Sequence, residues 1–431
     1  MANTTADTSW VQRFRERGLK WALAPAALVI LYVFFAIFGR NYFSYPTLVN
    51  IIDAAFYIGF ISMGVTFVII SGGIDLSIGT VMMCAAIIGG TALKRGWPMV
   101  PSLALIVVVG LAFGFFNGFM VSRIRMPPFI VTLGTMMISM GVGSIVANVQ
   151  SATFPIRGLP GGWFKDIFLY LDADGTPYPT GAILLAAVAV LCHVMLTNTK
   201  FGRYTYAIGS NQEAARLSGV DVRKWQLLVY VIAGGTAGIG GISYAAIYTT
   251  VLPAQGQGFE LYAIAAAVIG GASLSGGVGT IWGTIIGVFI MSVLSTGLPS
   301  LNLEAHYQTF FTGVIVLGAV LLDMYRTRTA SEVRIERPAD LYRASMREKI
   351  EAMQREAFAR GRAGDGKQAA AIRERIRAAR AEARTTFATM KAQEKAEQAR
   401  IRAEERAADR EFAEMVRRRE PAREEKTERR P

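Results

Sequence analysis

Long apolar runs fill the first three quarters of the chain. They are about 20 residues each, enough to cross a hydrocarbon core of roughly 30 Å as a helix, and 57–70 (YIGFISMGVTFVII) is typical. A soluble domain would alternate apolar and polar positions at helical or strand period, and these runs mostly do not. The pattern predicts spans at 21–39, 48–70, 76–93, 99–121, 128–148, 179–197, 226–248, 261–275, 277–296 and 308–324. Two junctions, 71–76 and 275–277, are so tight that they read either as loops or as breaks within the membrane. The expected fold is an all-α polytopic membrane protein with about ten transmembrane helices and a charged helical tail.

Charge sets the orientation. Residues on the N-terminal side of the spans include Arg13, Arg15, Arg17, Lys20, Arg123, Arg125, Lys200, Arg203, Arg216, Arg223 and Lys224. The opposite side holds Arg40, Lys94, Arg95, Arg157 and Lys165, offset by Asp166, Asp172, Asp174, Glu260 and Glu304. Positive charge concentrates on cytoplasmic loops, which predicts both termini in the cytoplasm. The basic start and the length of the first apolar run read as a retained helix rather than a signal peptide. The expected division is a cytoplasmic segment 1–20, a membrane domain 21–324 and a cytoplasmic tail 325–431.

The cytoplasmic connection 198–225 contains a helix-friendly centre, Asn211 to Ser218. Asn211 or Ser210 can cap it, Glu213 suits its first turn and Gly219 can end it. A short capped helix tied between two spans is a natural handle for a partner, although it can also merely close a loop.

Asp75, within SGGIDLSIGT (71–80), is the sharpest single residue. An ionisable group inside a span is costly and usually faces a bundle interior or a pathway. Three roles suit it: lining a solute path, capping a helix that begins at Leu76, or holding a gate or dimer contact. Asn117, at the end of the fourth span, carries the same ambiguity. GGIDLSIG (72–79) also has an echo in GGASLSGG (270–277). At an offset of 198, Gly72, Gly73, Leu76, Ser77 and Gly79 face Gly270, Gly271, Leu274, Ser275 and Gly277, and Ser273 answers Asp75. Internal duplication and shared composition both account for this. Paired small residues allow close packing or unwinding.

Cys84, Cys192, His193 and His306 show no metal-ligand spacing, and no metal or catalytic residue is expected. GRAGDGKQ (361–368) imitates a phosphate loop, but it lacks the Ser or Thr after the lysine and follows a helical pattern rather than a strand.

Glu213-Ala214-Ala215 followed by Gly219 matches the EAA-x-x-x-G signature of bacterial ABC importer permeases. GGIDLSIG (72–79), PFIVTLGTM (128–136), TKFGRYTYAIGSNQEAARLSGV (199–220) and GFELYAIAAAVIGGASLSGGVGTIWGTIIG (258–287) resemble the ribose-type sugar permeases of that group, in collinear order. The resemblance implies a bacterial inner-membrane subunit, not itself an enzyme, that imports a monosaccharide or polyol. It implies a second permease copy, a periplasmic sugar-binding protein and two cytoplasmic ATPase subunits that carry ATP and magnesium, with no cofactor on this chain. It implies that 209–222 form the coupling helix, with Glu213 on the ATPase surface, Ala214 and Ala215 allowing close approach and Gly219 turning the chain away. Gly72, Gly73, Asp75, Ser77, Asn117, Gly270, Gly271, Ser273 and Ser275 are the pathway or gate candidates. Other readings are an ABC permease for a nucleoside or branched-chain amino acid, and an ion-coupled secondary transporter. The last would need paired intramembrane carboxylates, whereas Asp75 stands nearly alone, with Asp53 and Asp323 near span ends.

The tail, 325–431, holds 29 Lys/Arg and 20 Asp/Glu. Tyr342, Met346, Ile350 and Met353 fall at helical spacing, and Glu351–Arg355 and Glu356–Arg360 are spaced for i, i+4 pairs. A solvated charged helix or partial disorder is expected, with lipid headgroups the next candidate partner and nucleic acid disfavoured by the mixed signs and few aromatics.

Overall fold

The computed structural model describes residues 24–303, parts of 307–324, 338–362 and parts of 365–400. The basic segment 1–20, His306 and Asp323 lie outside the described residues. The chain divides into two units, Met1–Thr329 and Ala330–Pro431.

The first unit is a helical bundle. Its helices are α1 (Ala24–Phe38), α2 (Tyr45–Ile70), α3 (Ile78–Lys94), α4 (Met99–Phe119), α5 (Pro128–Val146), α6 (Gly181–Asn198), α7 (Lys200–Ser210), α8 (Gln212–Leu217), α9 (Val222–Tyr248), α10 (Phe259–Ile269), α11 (Ile281–Ser300) and α12 (310–318). Among the described residues six are long and apolar enough to cross a membrane: α2, α4 with its π-helical extension to Ile124, α5, α6, α9 and α11. α1, α3 and α10 are apolar but shorter.

Helix α2 is apolar on every face, and an all-round apolar helix belongs in the interior. In its most apolar window 89% of residues are buried, against 28% for α4 and α6. The outer helices bury only a stripe. On α4 that stripe is Ser102, Ile106, Gly110, Gly114, Asn117 and Gly118, while Val108, Leu111, Phe115 and Phe119 face outward. Gly110 and Gly114 let α4 touch α9 backbone to backbone. A Cβ at Gly110 would stand 2.3 Å from the Gly234 carbonyl oxygen, and one at Gly114 would stand 2.4 Å from that of Tyr230. Small residues at i, i+4 spacing drive such close crossings where lipid removes the hydrophobic incentive.

On the side where α2 begins, segment 149–180 folds over the bundle. Its strand β1 (Ala152–Thr153) pairs antiparallel with β4 (Thr250–Val251), just after α9. A second ribbon pairs β2 (Tyr170–Leu171) with β3 (Pro177–Tyr178). Phe154, Phe164 and Phe168 are buried beneath, and Phe168 meets Phe56 of α2 at 6.0 Å. Lys165 donates to the Thr249 hydroxyl, and Arg157 pairs with Asp166 at 2.6 Å. Burial, then the nearby Arg157 charge, pulls the Lys165 pKa below its ordinary value.

Several boundaries differ from the sequence reading. α3 begins at Ile78, not Leu76, and the narrow junction 275–277 widens into a non-helical segment 270–280. Both junctions are therefore breaks between packed helices. Connection 198–225 holds two helices, α7 and α8, instead of one.

In the second unit, α13 (Pro338–Arg362) is followed by α14 (370–393). Glu351 pairs with Arg347, one turn before it. The residues before GRAGDGKQ are α13 itself, so no strand leads into that sequence.

Candidate functional site

Helix α2 stops because Gly72 takes φ +80°, a left-handed conformation that costs glycine little. The Gly72 and Gly73 amides then return to the Ile69 and Val68 carbonyls, each at 2.9 Å. Three residues after Gly72, Asp75 is only 3% exposed. Its Oδ1 accepts the Ser77 backbone N–H at 2.9 Å and the Ser77 hydroxyl at 2.6 Å. This local turn holds the irregular stretch before α3. It is not a cap on the helix, because Ser77 occupies the cap position and makes no side-chain cap bond.

The network continues across two more helices. Asn117 Nδ2 donates to Ser77 Oγ at 2.9 Å, and Asn117 Oδ1 accepts from Thr135 Oγ1 at 2.6 Å. Ser139 of α5 donates to Thr80 of α3 at 2.8 Å. Asp75, Ser77 and Asn117, three of the residues read from the sequence, thus form one buried polar line joining the first break to α4 and α5. Tyr230, fully buried on α9, donates to the Ile74 carbonyl at 3.4 Å and lies within range of the Asp75 charge. Satisfied polar networks of this kind fix a single packing in a low-dielectric interior.

Glu260 was placed among the external charges by the sequence reading, and the structure corrects this. The loop after β4 dips into the bundle, so that α10 starts beside α3. A Cβ at Gly79 would be 2.6 Å from the Gly256 carbonyl oxygen and 2.9 Å from the Glu260 nitrogen. Glu260 is 6% exposed, accepts the Gly258 N–H with both carboxylate oxygens at 2.9 and 3.0 Å, and interacts electrostatically with Asp75. Asp75 therefore has a buried acidic companion. The only sequence signal was an acidic residue opening an eleven-residue apolar run.

The second break behaves differently from the first. Gly271 has φ +96° and, like Ser275, is exposed, whereas Asp75 and Ser77 are buried. The Ser275 amide donates to Ser273 Oγ at 3.3 Å, the same i to i+2 bond that Ser77 makes to Asp75. The left-handed glycine that ends α10 is Gly271, not the Gly270 that the sequence echo sets against Gly72. The two helix ends therefore correspond at an offset of 199, and the two turns at 198.

The breaks meet each other and α7. The Gly277 amide donates to the Ile70 carbonyl at 2.8 Å. Gly209, near the end of α7, is wedged between them: its Cβ would lie 1.8 Å from the Ile70 oxygen and 2.6 Å from the Gly277 nitrogen. Tyr206 of α7 donates to the Gly279 carbonyl at 2.6 Å.

Helix α8 follows directly. Asn211 caps it by accepting the Ala214 N–H at 2.9 Å, and Gly219, at φ +83°, ends it. Glu213, Ala214, Arg216 and Leu217 are exposed, with Leu217 at 82%, and Glu213 pairs with Arg216 at 2.9 Å. Ala215 points the other way, 5% exposed against Ile208 and Val222. In this chain it packs α8 onto the bundle, whereas Ala214 beside it is exposed.

A bundle of apolar helices with two breaks that meet α7, next to an exposed capped helix, has the architecture of a polytopic helical membrane protein. The chain belongs to the family described as branched-chain amino acid transport system / permease component, whose family model matches residues 47–320. It is 34% identical to the ribose import permease protein RbsC of Bacillus subtilis (strain 168), over 72% of this chain and 95% of that one. It is equally identical to RbsC of Escherichia coli (strain K12), over 74% and 98%. The autoinducer 2 import system permease protein LsrC of Yersinia pseudotuberculosis serotype O:1b (strain IP 31758) is 32% identical, over 72% and 86%. No solved structure matches the chain.

Proposed function

We propose that this protein is the membrane-spanning subunit of an ATP-driven importer for a monosaccharide or related polyol. The carrying observation is Gly209, packed between Ile70 and Gly277, which gives exposed α8 a rigid route through α7 to both helix breaks. An ATPase that pushes on α8 moves an element already in contact with the pathway candidates. The ribose and autoinducer 2 names of the relatives support the solute class. In this reading ten spans cross a bacterial inner membrane with both termini cytoplasmic, 21–324 forms the permease, 1–20 and 325–431 are cytoplasmic, and this chain binds no cofactor. Two copies form the channel, a periplasmic binding protein delivers the sugar, two ATPase subunits hold ATP and magnesium, and lipid surrounds the bundle.

Exposed Glu213, Ala214 and Leu217 would meet the ATPase, while Asp75, Ser77 and Asn117 shape the pathway wall at the first break and Gly271, Ser273 and Ser275 at the second. The test is reconstitution in vesicles with the ATPase and binding protein. Uptake should require ATP, and uptake of a branched-chain amino acid or nucleoside instead of a sugar would reassign the solute.

A second reading, an ion-coupled transporter, gains from the buried Asp75 and Glu260, since that mechanism needs paired intramembrane carboxylates. Transport driven by an ion gradient without the ATPase would establish it and overturn the first.

A further inference from the structure

The helices beyond residue 338 lie outside the family match, which ends at 320, and the transport reading gives them no task. α13 and α14 fold back on each other as a hairpin. The half nearest the turn is closed, with Ala357 and Ile376 buried at 4% and 6%. The other half opens into a groove of about 470 Å³. Its floor is Met346 and Ile350 from α13 and Ala383 and Phe387 from α14, all half-buried.

The rim is strongly basic. Arg343 and Arg347 project from α13, and Arg380 and Arg384 from α14. Each pair is spaced i, i+4, which sets like charges side by side on its helix and is unfavourable without a counter-charge. Glu351 is the one carboxylate lining the groove, and it is engaged by Arg347 at 3.1 Å. The Phe387 ring has the Arg343 guanidinium 5.1 Å from its centre and the Lys391 ammonium at 5.8 Å. A second hairpin seated here would oppose arginine with arginine, so charge argues against self-association. The missing complement is an anion with an apolar part.

We propose that this groove binds a phosphate group carried on an organic molecule. Guanidinium forks converging from two helices match phosphate oxygens in bidentate fashion. The Phe387 ring, with Met346 and Ile350, receives the attached carbon skeleton, and the groove volume is that of a small-molecule site rather than of a bare ion. A soluble organophosphate and a phospholipid headgroup share this chemistry. The proposal stands independently of the transport reading.

The test is hydrogen exchange on the full-length protein in phosphatidylcholine nanodiscs, alone, with inorganic phosphate and with adenosine monophosphate, and again in phosphatidylglycerol nanodiscs. Occupancy at ten times the dissociation constant should slow exchange in 343–351 and 380–387 about tenfold. Protection by the nucleotide assigns a soluble organophosphate, and protection only in phosphatidylglycerol assigns the headgroup. The protection should vanish in R347Q/R384Q and weaken in R384K, which keeps the charge and loses the fork. Exchange around Ala357 and Ile376 reports that the hairpin is intact in each variant. No protection by any probe, equal protection by inorganic phosphate, or full protection in an intact R347Q/R384Q hairpin would overturn the proposal.

Discussion

The Gly277 amide donates to the Ile70 carbonyl at 2.8 Å, so two helix breaks 207 positions apart in sequence are held as one joint. Gly209 fills the joint from α7. In Gly209→Ala the added carbon meets backbone atoms, at 1.8 and 2.6 Å, which have no side chain to swing aside. The expected cost is about 1–3 kcal/mol of stability. Uptake should fall while ATP hydrolysis by the reconstituted complex persists, and paired uptake and hydrolysis assays on one preparation would show the split. Equal loss of both would mean that the joint only holds the fold.

Tyr206→Phe keeps the ring and removes the hydrogen bond to the Gly279 carbonyl. About 1 kcal/mol should be lost, seen as a lower thermal midpoint in detergent together with reduced uptake. Unchanged uptake would remove Tyr206 from the transmission route.

Glu213 is exposed and, among the described residues, its side chain bonds only to Arg216, so Glu213→Ala should leave the amount of folded protein unchanged. Uptake should drop about tenfold, a coupling loss within the usual range for linked sites. Co-purification of the ATPase with the variant, compared with the parent, checks whether the loss lies in docking.

Asn117→Ala removes both the donor to Ser77 and the acceptor for Thr135. Each buried partner left unmade costs about 1–3 kcal/mol. Asp75→Asn retains an oxygen for Ser77 and should fold. If Asp75→Asn transports normally, its charge has no part in solute passage and the turn alone is what matters.

Lys165 carries a pH signature. Its pKa is lowered from 10.5 in the folded protein, so the charged form is disfavoured there. The folded state binds fewer protons than the unfolded chain between the lowered value and 10.5, and stability therefore rises with pH across that window. Protease resistance of segment 149–180 should increase as pH is raised toward 10.5, and Lys165→Gln should flatten the trend.

The unbroken apolar runs made the helical membrane class legible because burial in lipid or protein demands apolar side chains over whole turns; among the described residues six of the helices reach spanning length. Asn211 and Gly219 were legible for a local reason, since a cap needs only its own helix. Glu260 was not, because its depth depends on a loop that dives inward after Thr250–Val251 is pinned to Ala152–Thr153, a contact nearly 100 residues away in sequence. The burial of Ala215 was not legible either: Glu213 and Ala214 face outward, and only the packing of Ile208 and Val222 shows that the next residue turns in. The offset of 199 between the two helix ends is likewise invisible in letters, because glycine pairs look alike and only φ shows which member turns the chain.

The enclosure of α2 bears on how the protein is made. α2 is the second apolar helix synthesised, yet three of the helices packed against it, α9, α10 and α11, are made more than 150 residues later. Until they arrive, Ser62 and Thr66 can be satisfied only by bonds to the Ile58 and Ser62 carbonyls of their own helix. The Thr66 to Thr284 contact at 2.7 Å closes only once α11 is in place. Closure of the bundle around α2 therefore waits for α11, and a chain truncated before Ile281 leaves the Thr284-facing side of α2 without its partner.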